Sequence, residues 1–130
     1  MSGPEDAAAL LAMAEKDFRA LGGMSDAEVF AEEVFGFHVQ QTAEKALKAW
    51  IAALGQEYPL THNLATLITV LQGHGVEVEA LWDLVEYNPF GVQFRYQALD
   101  EEEPPLDREV ALGQLSQLLG RVARLLEDAA

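Results

Sequence analysis

The sequence predicts an all-α domain, an antiparallel four-helix up-and-down bundle with one additional short helix. Three observations carry that expectation. Apolar residues recur at intervals of three and four through most of the chain, the period of a helix with one buried face. The connections between these stretches are short and carry Gly, Pro or Asn, which break helices. The one alternating run, Val92, Phe94 and Tyr96, has no second strand to pair with, and an isolated strand is unstable. The 130 residues read as one domain of ordinary size without an internal repeat. Half of them are apolar, enough to bury about two thirds of the unfolded surface.

The first helix is expected from Glu5 to Leu21, with Ala7, Leu10, Leu11, Ala14, Phe18 and Leu21 on its inner face. Pro4 suits its start, and Gly22-Gly23 its end. Ser25-Asp26-Ala27-Glu28 reads as a capping box. From there to Leu54 nothing breaks the pattern decisively, since Gly36 costs only about 1 kcal/mol. The longest helix would then hold about 29 residues and span about 43 Å. Gly36 also suggests a close approach by another backbone. Gly55 to Leu60 is a turn, and Thr61 is the expected N-cap of a helix carrying Leu64, Leu67, Ile68 and Leu71 up to Gly73. A shorter helix, Glu77 to Glu86, carries Val78, Leu81, Trp82 and Val85, and Asn88-Pro89 ends it. Asp100 to Pro105 is an acidic loop. The last helix, Leu106 to Leu126, shows Val110, Ala111, Leu115, Leu118, Val122, Leu125 and Leu126 at helical spacing.

Phe37 to Leu54 organises the chain. Val39, Ala43, Ala46, Leu47, Trp50 and Leu54 form one buried arc. Phe30, Phe37, Gln41, Glu44, Lys48 and Ile51 form a second stripe, apolar at both ends and polar in the middle. Two occupied faces place this helix centrally. Glu44 and Lys48, four residues apart, make an ordinary helical ion pair worth about 0.2–0.5 kcal/mol, and a solvated face needs nothing more.

The run Val39-Gln40-Gln41-Thr42-Ala43-Glu44-Lys45-Ala46-Leu47-Lys48-Ala49 resembles the signature helix of the HEPN family. These are small helical proteins named for a proposed nucleotide-binding role. Tyr58-Pro59-Leu60-Thr61-His62-Asn63-Leu64 and Phe94-Arg95-Tyr96 resemble that family's next two landmarks, in order. The resemblance implies a helix over Phe90 to Ala98. It makes Lys45, Lys48, His62 and Arg95 the candidate ligand-binding residues, and Gln41, Glu44, Arg95 and Tyr96 a structural polar cluster. Arg95 then either pairs with Glu44, offsetting the desolvation of both, or binds an anion. His62, next to the expected cap, is either a partly exposed neighbour of the cap or part of the site.

The HEPN ribonuclease toxins carry an arginine followed four to six residues later by a histidine. After Arg95 that window holds Asp100, Glu101 and Glu102, and the other arginines also lack a histidine there. Ribonuclease activity is therefore not carried over, and no catalytic residue is assigned. There is no cysteine, no histidine pair at zinc-helix spacing and no Gly-rich phosphate loop, so neither metal nor cofactor is expected.

Twenty-two acidic against eight basic side chains give a net charge of −14. A field of that sign repels a polyanion, which disfavours direct strong nucleic-acid binding and suits a basic protein partner. The resemblance implies a non-catalytic nucleotide- or phosphate-binding module. Its expected partner is a minimal nucleotidyltransferase, in a toxin–antitoxin-like pair. The alternatives are a divergent HEPN ribonuclease with an unconventional site, or a ligand-free dimeric scaffold. A homodimer is expected from the stripe holding Phe30, Phe37 and Ile51, more apolar than an outer face should be. With no secretory signal and no run of about 18 apolar residues, no membrane association is expected and the setting is cytoplasmic.

Overall fold

A computed structural model describes residues 3–91 and 105–129. Arg95, Tyr96 and the expected helix beyond Gly91 lie outside the described residues. The elements are α1 (Pro4–Gly22), α2 (Glu32–Ala53), α3 (Leu64–Gly73), a 3₁₀ segment (Glu79–Gly91) and α4 (Arg108–Ala129). The protein is an all-α bundle, and the described residues contain no strand.

α2 lies at the centre, packed against α1, α3, the 3₁₀ segment and α4. Both of its stripes are occupied. Val39, Ala43, Ala46, Leu47 and Trp50 are buried on one side, while Glu44, Ala52 and Ile51 are buried elsewhere around the axis. Burial of Ile51 corrects its expected place on an exposed dimer face: it belongs to this chain's own core. Phe30 and Phe37 are half-buried.

α2 starts later than the capping box predicts, so at 22 residues it spans about 33 Å. The Glu28 N–H bonds to Asp26 Oδ1 at 2.9 Å, making a local turn in place of the box. Arg108 then closes the loop by donating to the carbonyls of Met24 and Phe30, each at 2.7 Å. A continuous helix would give the Phe30 carbonyl to the Val34 N–H. Here that N–H bonds to the Ala31 carbonyl. The guanidinium also lies 4.7 Å from the Phe35 ring centre, a favourable cation–π distance.

α2 ends in a Schellman motif. The Gln56 N–H reaches the Ile51 carbonyl and the Gly55 N–H that of Ala52, with Gly55 at φ +78°, a conformation that favours glycine. α3 begins at Leu64, not after Thr61. Asn63 is its cap, accepting from the Ala65 N–H at 3.0 Å, and Thr61 Oγ1 instead accepts from the Asn63 N–H. His62 therefore precedes the helix.

The fourth element winds more tightly than expected. Its buried side chains, Leu81, Leu84, Tyr87 and Phe90, follow buried Val78 just before it, a spacing of three that suits a 3₁₀ helix. Trp82, expected inside, is exposed. Pro89 does not end the segment; lacking one N–H two residues before its close, it forfeits a single bond. Gly36 does mark a close approach, by a side chain: a Cβ there would lie 2.3 Å from the Phe90 ring. α4 starts at Arg108, with Asp107 Oδ1 accepting from the Val110 N–H at 3.1 Å, and Val110 is exposed.

Candidate functional site

The site is built around one buried carboxylate on the central helix. Glu44 is 6% exposed. Its Oε1 accepts from Gln40 Nε2 and from His62 Nδ1, both at 3.0 Å, and its Oε2 accepts from Lys48 Nζ at 3.0 Å. α2 supplies Gln40, Glu44 and Lys48 at successive intervals of four, so they stand in one row. The turn after α2 brings back His62. Gln40 fixes it a second time, its Nε2 donating to the His62 carbonyl at 2.9 Å. Gln41 joins the network by donating to Gln40 Oε1 at 2.8 Å.

Burial pushes the Glu44 carboxyl up. The hydrogen bonds from Gln40, Lys48 and His62, with the Lys48 charge, outweigh it and hold the group below 4.5. The carboxylate is therefore ionised near neutrality and can only accept, so His62 Nδ1 carries the proton. This leaves Nε2 as the other polar atom of a ring whose side chain is 70% exposed. Lys48 is only 12% exposed and lies 5.6 Å from the centre of the Tyr58 ring. Among the described residues, no buried side-chain nitrogen or oxygen lacks a hydrogen-bond partner, and no group of three or more His, Cys, Asp or Glu could hold a metal ion.

The structure thus brings Gln41, Glu44, Lys48 and His62 together. It does not bring Lys45 to them: that ammonium pairs with Asp17 of α1. Arg95 and Tyr96 lie outside the described residues. Gln40 is the site residue that the sequence reading missed, although its place four before Glu44 and eight before Lys48 was a usable signal. His38, half-buried, stacks edge-on against Phe37, and His74 Nδ1 donates to the Val70 carbonyl.

Fold and site together define a small all-α module, in which a satisfied polar cluster ties the central helix to the following turn. The HEPN domain model matches residues 7–128, and the chain belongs to the HEPN family. No curated protein and no solved structure matches it. Among the described residues, no helix is long and apolar enough to cross a membrane.

Proposed function

We propose that this HEPN-type module is non-catalytic and acts as the partner of a minimal nucleotidyltransferase in a toxin–antitoxin-like pair. A nucleotide or phosphate group is taken at the His62 edge of the Glu44 cluster. The observation that carries this reading is the state of the cations. Lys45 and Lys48 are already paired with Asp17 and Glu44, in a chain of net charge −14. Such a surface suits a basic protein and at most a single phosphate, not a polyanion. The proposed ligand contacts narrow to His62, with Arg95 as the second, and Lys45 and Lys48 act mainly through their carboxylates. HEPN domains commonly dimerise, and a cytoplasmic homodimer with Phe30 and Phe37 near its interface completes the proposal. Co-elution from a sizing column with a minimal nucleotidyltransferase encoded beside this chain is the expected result. Separate elution at micromolar concentrations of both proteins contradicts it.

A divergent ribonuclease has one observation in its favour. Glu44 orients the His62 ring through Nδ1, leaving Nε2 available as a proton acceptor, the arrangement a general base requires. RNA cleavage by the purified chain, abolished by His62→Ala, would establish that second reading.

A further inference from the structure

The polar cluster has a neighbour that takes no part in its hydrogen bonding. Gly91, the last residue of the 3₁₀ segment, lies against the Gln40 carboxamide. A Cβ at Gly91 would stand 2.8 Å from Gln40 Cδ and 2.9 Å from its Oε1, closer than packed atoms tolerate. Gln40 is fully buried, and its amide holds both Glu44 Oε1 and the His62 carbonyl. The same corner is seated by Phe90, whose ring occupies the place of a Gly36 side chain. A few residues back, Asn88 Oδ1 accepts from the Leu64 N–H at 2.8 Å, and Asn88 Nδ2 donates to Asn63 Oδ1 at 3.0 Å. The 3₁₀ segment therefore touches two supports of His62: the Gln40 amide that holds its carbonyl, and Asn63 and Leu64, which follow it in the chain.

We infer that Gly91 is a positioning residue for His62, acting through Gln40, so that seating of the Phe90–Gly91 corner on α2 sets the orientation and tautomer of the imidazole. The two glycines differ in what they accommodate. At Gly36 the obstacle is a buried aromatic ring, which moves only by repacking the core around it. At Gly91 it is the end of a flexible side chain, which can swing away at modest cost to the fold and release its grip on Glu44 and His62. A partner that lifts the corner would have the same effect, coupling its own binding to the His62 edge. The inference stands on this geometry and does not require the nucleotidyltransferase reading.

The test is the nitrogen-15 spectrum of the His62 imidazole in the full chain, recorded across pH so that the spectrum itself identifies the neutral ring and which of its nitrogens is protonated. The wild-type chain should show the Nδ1–H form. Gly91→Ala should shift the population towards Nε2–H, with a cooperative urea transition retained. Gln40→Met, which keeps the volume and removes the donors, should do the same with Gly91 in place. The double variant should add little, as expected for two changes acting through one group. If Gly91→Ala does not fold, Gln40→Met carries the test. An unchanged Nδ1–H signal in a folded Gly91→Ala chain, or in Gln40→Met, overturns the inference.

Discussion

Replacing Glu44 with alanine removes the acceptor for Gln40, Lys48 and His62 at once. Gln40 Nε2 retains the His62 carbonyl, so one of its two bonds survives. The Lys48 ammonium loses its counter-ion while only 12% exposed. Breaking a buried pair costs about 3–5 kcal/mol. The flexible lysine stem lets the ammonium reach water, which places the expected loss near the lower end, about 3 kcal/mol. With a urea slope of about 2 kcal/mol per molar, the midpoint should fall by about 1.5 M. Urea melts followed by circular dichroism measure it. Glu44→Ala combined with Lys48→Met should recover part of the loss, because the stranded charge is gone. A loss of about 0.5 kcal/mol or less, the worth of an exposed helical pair, would refute the reasoning.

Other predictions follow from the same contacts. Because the folded Glu44 pKa lies below 4.5, its stabilisation is present above the unfolded value and lost as pH falls through the folded one. The stability gap between wild type and Glu44→Gln should therefore narrow on acidification below about pH 4.5, measured by urea melts across pH. Gly36→Ala should destabilise by about 1–3 kcal/mol, the usual cost of overpacking, since the Phe90 ring must move; an unchanged thermal midpoint would contradict the close fit. Arg108→Lys should cost about 1–3 kcal/mol, because it cannot hold both loop carbonyls and leaves at least one without its donor; denaturant melts test it. The purified chain alone should not cleave RNA, and reproducible cleavage lost on Arg95→Ala would show that expectation to be wrong.

Much of the fold was legible because helical periodicity reports which face is buried. Leu64, Leu67, Ile68 and Leu71, or Ala111, Leu115, Leu118 and Val122, could be read directly. The errors arose where a distant residue decided a local choice. No pattern near Ser25 shows that Arg108 will take the Phe30 carbonyl, so the box looked sound. The 3₁₀ segment was misread through the wrong period: Val78, Leu81, Leu84, Tyr87 and Phe90 stand at intervals of three, whereas a helical wheel of 3.6 favours Trp82 and Val85. Glu44, Lys48 and His62 were visible as matching landmarks. Gln40 carries no mark in the sequence pattern, since glutamine is usually exposed, and the return of His62 to α2 gives its amide a second acceptor beside Glu44. Lys45 and Lys48 look equivalent in sequence, yet the three-residue step from one to the other places one against α1 and the other beside Glu44.

The most direct test of the partner proposal is the affinity of this chain for a minimal nucleotidyltransferase of the proposed kind, measured by calorimetry at two ionic strengths. An acidic surface meeting a basic one predicts a stoichiometric complex whose association weakens as salt rises and screens the charges. Absence of heat at both ionic strengths, with both proteins folded, contradicts the proposal.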